Sequence, residues 1–272
     1  MHPIEHLRYV ARTPGVPQEA LVRETAGALM SFSNEPAGLV TTCRRLTARQ
    51  PSSGPLLWLA SRVLTATDPP AEIRACVQAM ADDDTARLLA RELPLDGTVS
   101  VLGWPDLVGG ALRRRGDLRV LVVDVLGEGH QLVRRLSEQE GRVEEVAETG
   151  LGAAAASSDV VLVESAAVGP EGFWAVSGSR AAAAVAQAAG IPVWLVAGQG
   201  AVLPEALWRS LVQRVRGQQA LEGVTEAWDA PEEVVPLALV DQVAGPEGLT
   251  SVAEAVAGAD CPVAPELFAA DG

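Results

Sequence analysis

The sequence predicts an α/β protein: a Rossmann-like parallel sheet domain over residues 95–272, preceded by a helical N-terminal domain over residues 1–94. Three observations predict it. The runs "VLVVDV", "VVLVE" and "VWLVA" are apolar throughout, as strands buried on both faces of a parallel sheet are, and helical stretches separate them. Before them, from about Pro17 to Ala90, apolar residues recur at helical spacing between polar joints. Pro94 and Gly97 mark the place where the period changes.

In order along the chain, "PQEALVRETAGALMSF" sets Ala20, Leu21, Ala28 and Leu29 on one helical face. "SSGPLLWLASRVLTA" opens with serine caps and a proline near its first turn, and "DPPAEIRACVQAMADDDTARLLARELP" gives one or two further helices after Asp68. "GTVSVLG" is then the first strand, "PDLVGGALRRRG" a helix, "LRVLVVDV" a strand and "EGHQLVRRLSEQE" a helix. A short "VEEVAE", the small-residue "LGAAAASS" and the strand "DVVLVES" follow. The alanine-rich helix "GSRAAAAVAQAAG" ends at Gly190 and Pro192, before the strand "IPVWLVAG". Beyond Pro204 the pattern gives a helix in "PEALWRSLVQRVRGQQALEG", a strand in "VVPLALVDQV" and a short helix in "LTSVAEAVAG".

Composition narrows the function classes. A chain of 272 residues with 48% hydrophobic residues can bury a sizeable core. With 21 basic and 35 acidic residues the net charge is −14, a field that repels phosphate backbones, so direct nucleic-acid binding is not expected. Arg44/Arg45 and Arg113–Arg115 are local basic clusters that can meet a small anion, a partner, or only solvent at helix ends. Cys43, Cys76 and Cys261 are odd in number and scattered, which fits a reducing, cytoplasmic compartment. "MHPIEHLRY" has no apolar signal core, and no apolar run is long enough to span a bilayer.

In an open parallel sheet, ligands bind outside the carboxyl ends of the strands, where helix N-termini offer free N–H groups. Four segments hold that position: "LGWPD", "VDVLGEGH", "VESAAVGPEG" and "VAGQG". Asp124 can accept from sugar hydroxyls there, or cap its own loop. Gly103, Gly109 and Gly110 do not make the G-x-G-x-x-G fingerprint, so no nicotinamide or flavin cofactor is expected. Glu164 can act as general acid or base if burial raises its proton affinity, or it can cap backbone, and Ser165 sits beside it. The "SGSR" of Ser177 to Arg180 places Ser179 and Arg180 at a helix start suited to phosphate or carboxylate, where serine is also an ordinary cap. His130 can shuttle a proton, but with only His2 and His6 besides it no histidine metal site is expected. Trp104 and Trp174, in strand-end segments, can line a pocket, while tryptophans in helices suit the core or an interface. Nucleophile-elbow, phosphate-loop and metalloprotease motifs are absent.

Between Leu46 and Asp241, three stretches carry a family resemblance: "RQPSSGPLLWLASRVL", "LRVLVVDVLGEGHQLVRRLSEQEGRVEEV" and "SDVVLVESAAVGPEGFWAVSGSRAAAAVAQAAGIPVWLVAG". They resemble the translation initiation factor 2B alpha/beta/delta subunits and their enzyme relatives, methylthioribose-1-phosphate isomerase and ribose-1,5-bisphosphate isomerase. The resemblance implies a helical domain followed by a Rossmann-like one, and a homodimer. Ligand-binding residues are expected at Trp104, Ser165, Gly172, Gly178, Ser179, Arg180 and Asp241, and of these Gly172, Gly178 and Ser179 are the ones the family's loop also keeps. The isomerases carry a catalytic aspartate where this chain has Ala166, and "FWAVS" lacks the family's asparagine and lysine. "VLGEG" lacks its arginine, and no cysteine lies near "VLGWPD". Two functions follow. The first is an initiation-factor-2B-like protein without isomerase activity, which binds a small phosphorylated or nucleoside ligand or a partner subunit. The second is a divergent sugar-phosphate aldose-ketose isomerase that uses Glu164, Asp124 or His130.

Overall fold

The computed structural model describes residues 17–33, 35–138 and 142–268. His2 and His6 lie outside the described residues. Five helices come first: α1 (Gln18–Met30), α2 (Pro36–Arg49), α3 (Gly54–Thr65), α4 (Pro69–Ala81) and α5 (Thr85–Glu92). Their starts are written locally. Ser53 accepts from the Leu56 N–H and Asp68 from the Ala71 N–H, and Pro36, Pro55 and Pro69 sit in first turns where no amide proton is needed.

The main sheet holds β1 (Thr98–Leu102), β2 (Arg119–Asp124), β3 (Arg142–Ala147), β4 (Val160–Glu164), β7 (Val193–Val196), β9 (Gln242–Gly245) and β10 (Gly248–Ser251). Their order across it is β10-β9-β7-β4-β1-β2-β3, parallel except for β10. Helices α6 (Asp106–Leu112), α7 (Gly129–Ser137), α8 (Leu151–Ala156) and α9 (Ser179–Ala189) connect the strands. The chain runs outward from β1 to β3 and then returns to lay β4 on the other side of β1. The crevice between β1 and β4 is therefore the topological switch point of a doubly wound sheet.

Alternation in the buried strands divides the core between the two faces. Val120 and Val122 pack with Val99, Val101, Leu162 and the α6–α7 side, while Leu121 and Val123 pack with Val161, Val163 and the alanines of α8 and α9. Small residues bring α9 down onto the sheet: Ala182, Ala183 and Ala186 are fully buried. A third cluster joins α1 to α4 with Trp208 and Leu211 of α10 (Glu205–Leu221) and with Cys261, Ala264 and Leu267 near the chain end. The last helix, α11 (Val252–Ala257), starts with a reciprocal Ser251/Glu254 cap.

Two features depart from the sequence expectation. Pro36–Arg49, to which the sequence reading assigned no element, is a regular fourteen-residue helix. "AAVGPEGFWAV", read as a loop after β4, is a hairpin of β5 (Ala167–Val168) and β6 (Gly172–Val176). β8 (Glu232–Pro236) pairs with β6 to complete a small antiparallel sheet. The local signal for the hairpin is a glycine-proline turn followed by the bulky pair Phe173–Trp174. Its partner strand is remote in sequence, and so the segment reads as a loop by itself.

Arg115 of the second basic cluster is spent on structure. Its guanidinium donates to the carbonyls of Ala90, Leu93 and Pro94 and pairs with Asp117, tying the end of α5 to the sheet. Arg44 Nε donates to the Glu266 carbonyl at 2.7 Å.

Candidate functional site

A cavity of about 210 Å³ opens at the switch point, walled by the segment after β1, the end of β4, β6 and the start of α9. A second, of about 470 Å³, lies between it and the helical layer and shares Gln18, Trp104, Glu164, Ser165 and Ala166 with it. Together they form one cleft outside the carboxyl ends of the strands, roofed by α1, α3 and α4.

Glu164 stands at the centre of this cleft. Its Oε1 accepts from the Asp106 N–H at 2.9 Å and its Oε2 from the Val108 N–H at 2.8 Å. The carboxylate therefore fills the start of α6, the place where a ligand anion would sit at a switch point. Burial pushes the Glu164 carboxyl up from 4.5 to about 7, against the backbone N–H groups of Val108, Asp106 and Leu107, which favour the charged form. The folded state thus holds this proton more tightly than the unfolded chain. The stability it contributes should be complete below about 4.5 and lost as pH rises through about 7. Glu164→Gln should flatten that window in urea-midpoint measurements across the same pH range. Because an amide nitrogen cannot accept, the variant should also cost about 1–3 kcal/mol for one backbone N–H left unpaired.

The same solution recurs along the strand ends. Asp124 Oδ1 accepts from the Gly129 N–H at 2.7 Å at the start of α7. Glu233 Oε1 accepts from the N–H groups of Gly178 and Arg180 at 2.8 and 3.1 Å, at the start of α9. Asp83 Oδ2 accepts from the Gln199 N–H at 2.9 Å in the loop after β7. The chain's own carboxylates thus occupy four anion-binding positions. No lysine occurs anywhere in the sequence, so a phosphate here would have no lysine to meet.

The residues singled out from sequence are placed as follows. Glu164, Ser165, Ser179 and Trp104 line the inner cavity. Ser165 is buried, with its hydroxyl bonded to the carbonyls of Ala167 and Trp174, so it braces the β5–β6 hairpin. Gly178 takes φ 94° in the tight entry to α9, a left-handed conformation that suits glycine. Gly172 lies in β6 against the Val235 carbonyl. Asp124, His130 and Arg180 stand outside the cavity wall: Asp124 caps α7, the His130 ring Nδ1 donates to the Gly127 carbonyl at 2.7 Å, and Arg180 is exposed. Asp241 lies at the opposite, amino-terminal edge of the sheet, where its Oδ2 accepts from the Val193 N–H at 2.8 Å. At position 166 the backbone carbonyl of alanine accepts from the Gly54 N–H at 3.0 Å, so this point joins the sheet to the helical roof.

Sequence reasoning missed Glu232, Glu128 and Gln18. Glu232 Oε2 accepts from Trp174 Nε1–H at 2.7 Å, which brings a carboxylate from β8 into the inner cavity. Burial raises the Glu232 carboxyl's proton affinity; the Trp174 hydrogen bond opposes this and the charge of Glu128 adds to it. Trp104 carries the Arg135 guanidinium over its ring at 5.8 Å, which shows that this aromatic face accepts a cation. Among the described residues no group of three or more His, Cys, Asp or Glu could hold a metal ion, and no helix is long and apolar enough to cross a membrane.

The fold and cleft define a doubly wound α/β protein whose strand-end cleft is flanked on one side by a layer of helices. The same fold is found in translation initiation factor 2B subunits and in a related isomerase, in accord with the resemblance carried by the sequence. The initiation factor eIF-2B of Pyrococcus horikoshii OT3 superposes with a TM-score of 0.73 at 13% identity, covering 93% of this chain and 98% of that one. The eIF2B beta subunit of Chaetomium thermophilum gives 0.71 at 16% identity, over 97% and 92%. The 5-methylthioribose 1-phosphate isomerase of P. horikoshii OT3 gives 0.61 at 17% identity, over 91% and 84%. No protein-family model and no curated protein sequence matches the chain.

Proposed function

We propose that this protein binds a small ligand in the strand-end cleft of an initiation-factor-2B fold, as a cytoplasmic protein, without sugar-phosphate isomerase chemistry. The observation that carries this reading is the engagement of both Glu164 oxygens by the start of α6. Glu164, two positions before Ala166, serves as a helix cap, and position 166 itself carries no acid. The cleft itself is open, which supports ligand binding. Three buried free thiols fit a reducing compartment.

The test is a thermal-shift panel of nucleosides, sugar phosphates and small amines on the full chain, beside a sugar-phosphate interconversion assay. At least one class should raise the melting temperature, since a ligand that binds only the folded state stabilises it, and no aldose–ketose conversion should be seen. No shift with any class would overturn the reading.

The isomerase alternative has one observation in its favour, the proton affinity of Glu164 near neutrality in a cleft. Turnover that disappears in Glu164→Gln would establish it. A homodimer belongs to the same proposal: Leu221 and Trp228 are 91% and 78% exposed, unusual for such large apolar side chains. Sedimentation velocity at micromolar concentration should show a dimer rather than a monomer.

A further inference from the structure

The inner cavity holds three glutamates, Glu128, Glu164 and Glu232, and neither an arginine nor a histidine lines it. Glu164 has both oxygens committed to backbone N–H groups, and one oxygen of Glu232 is committed to Trp174. Glu232 Oε1 and the Glu128 carboxylate remain. In the same wall lies the Ser179 hydroxyl, fully buried and without a hydrogen-bond partner in the protein. An orphaned buried hydroxyl costs stability unless something else meets it, and the positive end of α9 beside it is already neutralised by Glu233.

Resting on the ligand-binding reading above, we propose that the ligand of this cleft is a small ammonium-bearing molecule, its charged nitrogen held by Glu232, Glu128 and Ser179. An ammonium group carries three donors and no acceptor, and each of these three residues offers it at least one acceptor. A carboxylate pair with one buried member, Glu232, gains by a cation beside it, whereas a phosphate would add a further negative charge to an inner wall that no arginine or histidine lines. Trp174 borders the cavity and holds one oxygen of Glu232, while the Trp104 ring is already covered by Arg135 of the outer chamber. At about 210 Å³ the chamber lies below the roughly 300–1,000 Å³ of drug-sized sites, so a small amine group fits it while the rest of the molecule extends into the outer chamber.

The experiment is isothermal titration of the full chain with 1,4-diaminobutane, with adenosine and ribose 5-phosphate in parallel, at low and at high salt. The diamine is expected to bind at one site. Affinity should fall about tenfold or more in Glu232→Gln and in Glu128→Gln, the share of one charge-assisted hydrogen bond, and by less in Ser179→Ala. Glu232→Gln keeps a carbonyl for Trp174, and the urea midpoint of each variant shows that it is folded. Binding that is equal in wild type and variants would mark diffuse attraction to a −14 chain and overturn the inference. Binding of adenosine or ribose 5-phosphate without the diamine would also overturn it while leaving the ligand-binding reading intact. Failure of all three probes would remove both.

Discussion

Replacing Gly54 by alanine is expected to cost about 3 kcal/mol or more, a large part of the roughly 5–15 kcal/mol that holds a domain folded. Gly54 is the first residue of α3, and its N–H donates to the Ala166 carbonyl across the boundary between helical roof and strand ends. A β-carbon there would lie 2.2 Å from the Ala166 oxygen and 3.1 Å from the Ala201 oxygen. Both are backbone atoms, so no side-chain rotation relieves the overlap. The helix would have to withdraw, and with it the buried Leu56, Leu57, Trp58 and Leu59. Gly27, in α1 with nothing within 4 Å of an added β-carbon, is the control: Gly27→Ala should stabilise by about 0.5–1 kcal/mol through helix propensity alone. Urea midpoints of the two variants check both outcomes. Equal effects would show that the roof is not pinned at Gly54.

Ending the chain after Gly258 should cost about 4 kcal/mol or more and make the helical layer sensitive to limited proteolysis. The segment that would be lost folds back over α2 and α3. Trp58 Nε1–H donates to the Asp260 carbonyl at 2.8 Å, and Ser61 Oγ bridges the Pro262 carbonyl and the Ala264 N–H. Arg62 is shared between Glu72 and Asp260. Cys261, Ala264 and Leu267 are buried in the helical cluster, and Leu267→Ala alone should cost about 2–3 kcal/mol. An unchanged denaturation midpoint on truncation would show that the segment lies passively on the surface.

These two contacts also show where sequence reading stops. The helix starts at Ser53, Asp68 and Ser251 are legible because cap and helix lie within three residues of each other. The buried strands are legible because each carries its own apolar run. Gly54 reads only as a residue near a helix start until Ala166 is set against it, 112 positions on. The β5–β6 hairpin is not legible because β8, which holds Trp174 through Glu232, is 58 residues away. Glu232 consequently reads as surface acid in "APEEVVP", although it faces the cavity.

The sequence by itself determined a parallel sheet with helices around it, the helical layer ahead of it, and Ala166 in place of an acid. Composition and short-range periodicity encode the sheet and its helices, and it is the family resemblance that sets Ala166 against an acid. Only the tertiary structure decided the chemistry of the cleft. It set Glu164, Asp124, Glu233 and Asp83 on the backbone amides where an anion would bind, and left Glu232, Glu128 and Ser179 facing the interior. The physical reason is that a carboxylate at a strand end can serve as cap, base or ligand contact. Which of these it becomes is fixed by the N–H groups that reach it from elements far away in sequence.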